Sequence, residues 1–311
     1  MEKKRNGLLE IYRLILSFWP MYYHNFFFIA KNNAVFTVAP LTVDFFFVLS
    51  GLFLVPAINR MKEYNPFVAA GKIMIGKIKP LIFTLGFITA FNLVCLGLFI
   101  RENHFSVLFE LFKYWWYVLY MVLVSGIYCL LYRAFKSEKA FGVFLFVTMI
   151  VMCIFHYQME IRGRFIYEFT FVVKAFGCIA LGILLSYIPK IPQNKPLGFN
   201  YNIPIVAVLF LVLLYLTYHE KTYNECVIII LLFCALVYFS MGISVSGEIF
   251  DLIGKLSTRL YLYMAFVTML YYLGITNHRQ LFIIDLSVAS IDLAVDYYRT
   301  KYRKLKTSVE K

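Results

Sequence analysis

Pro80 to Ile100 contain no charged side chain, and runs of similar length and apolarity recur along the whole chain. A helix needs ~20 such residues to cross the hydrocarbon core of a bilayer. Ten apolar segments stand out, at about 8–30, 38–58, 79–100, 114–133, 140–157, 165–188, 203–219, 223–243, 257–276 and 280–297. Inside a bilayer the backbone must satisfy its own hydrogen bonds, so a spanning segment is a helix or a strand of a closed barrel. The two-residue alternation of a barrel strand is absent, which leaves helices. The expectation is an all-α integral membrane protein, a bundle of about ten transmembrane helices, forming a single domain over 1–311 with a short basic tail at 299–311. A chain that is 62% hydrophobic and 15% charged is too apolar for a soluble domain of this length.

The net charge of +13 does not point to nucleic acid, because lysine and arginine collect in the cytoplasmic segments of membrane proteins. With the amino terminus inside, 21 basic residues fall in inner segments and 7 in outer ones, while Arg13 and Lys174 lie within spans. That asymmetry predicts both termini in the cytoplasm. The six cysteines all sit in apolar runs with no C-x-x-C pair and read as small buried hydrophobes. The amino-terminal stretch begins like a signal peptide, but Arg13 interrupts its apolar run and no small-residue cleavage site follows, so it reads as a retained first span. An outer stretch at 104–116 has apolar residues at helical spacing and is expected to lie in the interface.

Ionisable side chains inside spans are costly and mark functional sites by default. Those singled out here are Arg13, His24 and Asp44 in the first two segments and Lys174, Asp285 and Asp292 in later ones. Arg13 and His24 are eleven positions apart, so on one helix they differ by ~20° in direction and by roughly 16 Å along the axis. Pro20 lies between them on nearly the same face and deprives a carbonyl near Leu16 of its donor, which predicts a kink or an inserted polar partner.

Arg13-x10-His24 in a first span, followed by Asp44-Phe45-Phe46-Phe47-Val48-Leu49-Ser50-Gly51 in the second, resembles the two signatures of acyltransferase family 3. Three further stretches resemble the family less sharply: KYWWYVLYMVL in the middle, GKIKP before the third segment, and Gly254, Lys255, Ser257 and Tyr261 near the end. The resemblance runs over nearly the whole chain. It implies a bacterial multi-pass protein of the cytoplasmic membrane that acylates, mostly O-acetylates, a hydroxyl of a surface polysaccharide or its lipid-linked precursor. Acyl-CoA, acetyl-CoA in the first instance, is then a co-substrate, and no cofactor is tightly held. The expected partners are the lipid bilayer, acyl-CoA and the glycan acceptor. Three departures mark a divergent member: Met264 where relatives often carry histidine, lysines in place of Arg-x-x-Arg before the third segment, and Thr42 in place of glycine.

The candidate catalytic residues are His24, Arg13 and Asp44. His24 can take a hydroxyl proton near neutral pH or carry the acyl group, and satisfying a polar contact in the bundle is its structural alternative. Arg13 can hold a donor phosphate or carbonyl, or fix a carboxylate; snorkelling to the inner surface is its alternative. Asp44 can orient His24 or pair with Arg13. Lys72, Lys77 and Lys79 are candidates for the phosphates of acyl-CoA, a placement that the inner-side excess of basic residues also explains. Ser50 and Gly51 read as a small pair allowing close helix approach. Lys174 is expected to pair with Asp285 or Asp292. The other histidines lack metal-ligand spacing, so no metal is expected. A transporter or flippase is the competing function, because buried charges suit a transport path as well. A non-catalytic relative acting as a partner is a third, given Met264.

Overall fold

The structure is a computed structural model that describes residues 6–27, 39–99, 115–135, 137–161, 167–189, 202–216, 223–243 and 245–309. Within these, the side chains of some helix-end residues, His24 among them, fall outside the description. The described residues are helical with short connections, and no strand occurs among them. In chain order the helices are α1 (Gly7–Phe27), α2 (Ala39–Leu52), α3 (Leu54–Asn59), α4 (Pro66–Ile78), α5 (Ile82–Phe99), α6 (Trp116–Ala134), α7 (Glu138–Ile161), α8 (Tyr167–Tyr187), α9 (Asn202–Leu216), α10 (Tyr223–Met241), α11 (Glu248–Tyr272) and α12 (His278–Val309).

Every apolar segment falls on a helix, but the edges moved where side-chain chemistry outweighs hydropathy. The second segment breaks at Phe53 into α2 and α3. The polar link before the third segment is mostly helix α4, started by Asn65, whose side chain accepts from Phe67 N at 3.0 Å, with Pro66 in the first turn. Pro80 lies in the break before α5. Helix α11 begins at Glu248, well before the expected 257, with Glu248 and Asp251 in its first turn where the helix dipole favours acids. It stops at Gly274, whose φ of +97° suits only a residue without a side chain. Helix α12 runs twelve residues past the expected 297. Helix α1 continues through Pro20 without a break in helical assignment.

Among the described residues three stretches are long and apolar enough to cross a membrane: Thr42–Asn59, Trp116–Ala134 and Glu138–Phe155. A fourth arises if Pro66–Ile78 and Ile82–Gly97 are one broken span. The total of ten crossings and the side of the termini rest on the sequence alone. The interfacial stretch at 104–116 lies, except for its last two residues, outside the described residues.

The chain divides into two compact units, each assembled from segments distant in sequence. The first gathers Met1–Phe36, Phe83–Tyr114 and Val245–Lys311; the second gathers Thr37–Ile82 and Trp115–Ser244. In the first unit α11 packs along α1 on one side and α12 on another. From Leu260 to Met269 almost every residue of α11 is buried, as expected of a helix walled in all round. Phe91 packs at 4.5 Å on Phe266, beside a cluster of Cys95, Leu96 and Met269.

In the second unit α2 packs along α8, α7 along α8, and α4 along α6. Gly51 of α2 and Gly182 of α8 meet backbone to backbone: a methyl on Gly51 would strike the carbonyl of Ile179, and one on Gly182 the carbonyl of Val48. Gly51 is thus the close-approach residue that the small pair suggested. The adjoining aromatics are wholly inside, with Phe45 packed on Phe233 and Phe47 on Tyr117. By contrast α7 presents Val143, Phe146, Val147, Ile154 and Phe155 outward, a face that suits acyl chains.

Candidate active site

Arg13 is built into the first unit by contacts from two helices. Its Nη1 donates to Glu10 Oε2 at 2.7 Å and its Nη2 to Thr258 Oγ1 at 2.9 Å. Ser257 Oγ donates to the backbone carbonyl of Arg13 at 2.9 Å, so the two helices are pinned at the same level. Glu10 needs room on α11, and Gly254 provides it: a methyl there would run into the Glu10 carboxylate. One turn earlier, a methyl on Gly7 would strike the ring of Phe250. The distant stretch around Gly254 and Ser257 therefore forms the wall against which Arg13 is set. The Glu10 side chain is 9% exposed and that of Arg13 26%. The guanidinium has five donors. Two have these partners, and a quarter of the side chain stays accessible, so the group can still meet an anion or a carbonyl.

Glu10 and Thr258 had not been picked out from the sequence. An acid three residues before an in-span arginine is a legible signal, since such pairs face each other on a helix. Thr258 carries no such signal, being remote in sequence.

His24 lies on α1 with Arg13 in one uninterrupted helix, so the register argument holds for their backbones. The histidine side chain lies outside the described residues.

Asp44 belongs to the second unit. Its Oδ2 accepts from Lys174 Nζ at 3.2 Å, and its Oδ1 has no hydrogen-bond partner among the described residues. The aspartate that the sequence offered to His24 or Arg13 is therefore engaged by Lys174, and Lys174 pairs with neither Asp285 nor Asp292, as had been expected of it. The Lys174 side chain is 12% exposed and that of Asp44 1%. Two opposite charges so deeply buried offset each other's desolvation only as a pair. Asp292 belongs instead to a network in the first unit: it accepts from Arg259 Nε at 3.1 Å and from Thr84 Oγ1 at 2.6 Å. Asp296 accepts from Lys255 and from Arg259 Nη2, both at 3.2 Å. Lys255 and Arg259, counted from sequence among the basic residues of inner segments, lie on α11, and Arg259 is buried beside carboxylates that α12 supplies. Asp285 is fully buried with no partner for either oxygen among the described residues.

The three lysines do not form one cluster. At ~100° per residue Lys72 and Lys79 share a face of the α4 register, whereas Lys77 is turned roughly 140° away. Lys72 and Lys79 are exposed and Lys77 is half-buried. The Lys72 ammonium stands 3.3 Å over the ring of Tyr64; its hydrogen bond and its charge hold that phenol below the usual tyrosine range. Nearby, Arg133 donates to the carbonyls of Lys62 at 2.9 Å and Tyr64 at 3.1 Å, clamping the turn that leads into α4. Met264, at the position where a histidine was noted as missing, is buried in α11.

A protein-family model described as an acyltransferase domain, acyltransferase family 3, matches residues 9–294. No curated protein and no solved structure matches the chain.

Proposed function

Because the chain belongs to acyltransferase family 3, we propose that it moves an acyl group, acetyl in the first instance, from acyl-CoA to a hydroxyl of a surface polysaccharide or its lipid-linked precursor, in the bacterial cytoplasmic membrane. The observation that carries the reading is the Arg13 site. An arginine costly to bury is held through its guanidinium by Glu10 and Thr258 and through its backbone by Ser257, yet about a quarter of its side chain stays accessible. A structural arginine needs no such opening. A guanidinium suits a phosphate or a thioester carbonyl of the donor.

In the direct route the acceptor hydroxyl oxygen attacks the thioester carbonyl carbon while the His24 imidazole takes the hydroxyl proton. The carbon–sulfur bond then breaks and the imidazole returns the proton to the leaving thiolate, so ester and free thiol are the products. A positioned base supplies ~10²–10⁴-fold in such a step. In the two-step route an imidazole nitrogen attacks the thioester carbonyl and the carbon–sulfur bond breaks to release the thiolate; the acceptor hydroxyl then attacks the acyl-imidazole, the carbon–nitrogen bond breaks, and the hydroxyl proton balances the thiolate as free thiol. Lys72 on α4 and Lys79 just past its end, both exposed, are the candidates for the donor's phosphates.

The test is O-acylation of surface glycan, measured by mass analysis, in cells carrying His24→Ala, His24→Gln or the unchanged chain at matched protein level. Both variants are expected to lose acylation, with His104→Ala and His278→Ala close to unchanged. Full acylation by His24→Gln excludes both routes. The buried pairs Lys174–Asp44 and Arg259–Asp292 also suit a transport path. Membranes that export the glycan but leave labelled acetyl-CoA intact would favour that second reading.

A further inference from the structure

Helix α12 is 32 residues long, about 48 Å at 1.5 Å per residue, against a hydrocarbon core of about 30 Å. Its packed side carries Asp292 and Asp296, which meet Arg259 and Lys255 of α11. A second face, turned about 100° from it, is bare: Ile291, Val295, Tyr298 and Tyr302 are 63%, 38%, 68% and 71% exposed. They follow each other at spacings of four, three and four, one stripe of a helix, and the register continues to positions 305 and 309, a leucine and a valine. Along the stripe the composition changes. Up to Val295 it is aliphatic; from Tyr298 onward it is flanked by Arg299, Lys301, Arg303, Lys304 and Lys306, with no acidic residue between Tyr298 and Val309. The level of the change is marked by Arg299, whose guanidinium carbon sits 4.4 Å over the ring of Phe83 at the start of α5.

We propose that the end of α12, from Tyr298 to Val309, is a docking surface for the headgroups of anionic phospholipids. On the sequence expectation that 280–297 crosses the bilayer, a helix too long for the hydrocarbon core carries its last three turns through the headgroup layer. Tyrosines at the boundary are the side chains suited to that depth. In that layer the segment's five cations meet the negative surface of an anionic leaflet, an attraction that acts over about a Debye length. A second copy of this helix is the occupant that the stripe alone would also fit. It is disfavoured, because pairing two such segments brings ten positive charges together with no acid to offset them. The proposal concerns this helix alone and does not depend on the acyl-transfer reaction.

The experiment uses the full chain in an uncharged detergent, titrated with phosphatidylglycerol or phosphatidylcholine, with bound lipid counted by native mass spectrometry. The unchanged protein is expected to hold phosphatidylglycerol at least about tenfold more tightly than phosphatidylcholine, and salt should erode the difference. Exchanging Arg299, Lys301, Arg303, Lys304 and Lys306 for glutamine should bring the two lipids level. A variant with Arg60, Lys62 and Lys139 exchanged for glutamine should keep the preference, and so should one in which the five tail positions are swapped between lysine and arginine. Free glycerol phosphate should not displace the lipid. An undiminished preference in the five-glutamine variant overturns the proposal. So does displacement by glycerol phosphate, which would mark a soluble phosphate site. A dimer that the five exchanges abolish while the lipid preference persists overturns it in favour of a second copy.

Discussion

Glu10 holds the guanidinium of Arg13 at 2.7 Å from three residues earlier on the same helix, while Thr258, 245 positions away, takes its second arm. A hydrogen bond to a charged group contributes about 1.5–3 kcal/mol. Glu10→Ala should therefore lower kcat/KM for acyl transfer roughly ten- to hundredfold, with Glu10→Gln, which keeps an acceptor, milder. Arg13→Lys keeps the charge but cannot reach both partners as a fork, so it should resemble Glu10→Ala. Transfer from labelled acetyl-CoA in isolated membranes is the measurement. Wild-type kinetics in Arg13→Lys would assign the arginine to snorkelling rather than to donor handling.

Glycine substitutions should split by environment. Gly254→Ala puts a methyl against the Glu10 carboxylate and should lower both thermal stability and transfer. Gly71→Ala and Gly76→Ala on α4 meet nothing within 4 Å. They replace a helix-interior glycine and should stabilise by about 0.5–1 kcal/mol each. Melting temperatures in detergent check the sign of each change; equal effects at all three positions would contradict the Glu10–Gly254 fit.

The Asp44–Lys174 pair should behave as one unit. Removing either partner leaves the other buried and uncompensated, a loss of about 3–5 kcal/mol. Asp44→Asn combined with Lys174→Met should cost less than the sum of the two. Thermal unfolding of the four proteins in a double-mutant cycle gives the coupling. Additive losses would mean that the two side chains are not partners.

Sidedness is tested by labelling. A cysteine probe at Asn103 should react with an impermeant reagent added outside intact cells, and one at Lys62 should not, in a background whose native cysteines have been replaced. The reverse pattern would move both termini, and the lysines of α4, to the outer side.

The periodicity and length of the apolar runs determined that the chain folds as helices, and each run found its helix, because backbone satisfaction in hydrocarbon leaves little else. The eleven-residue spacing of Arg13 and His24 was legible for the same reason: both lie on α1, and helical geometry is local. Gly51 was readable as a close-packing residue because a missing side chain can only make room. What the sequence by itself left open was the choice of partner. Lys174 had three aspartates available, and the fold joined it to Asp44, 130 positions away, and Asp292 to Arg259. Arg259 counted only as one of the inner-side cations until α12 brought carboxylates to it. Thr258 had no signal at all, and Gly254 and Ser257 stood only as a family pattern until α11 lay against α1. Hydropathy and spacing report what a residue does to its own helix. Which buried charge meets which is decided when helices distant in sequence pack, because a buried charge is stable only where a partner arrives within hydrogen-bond reach.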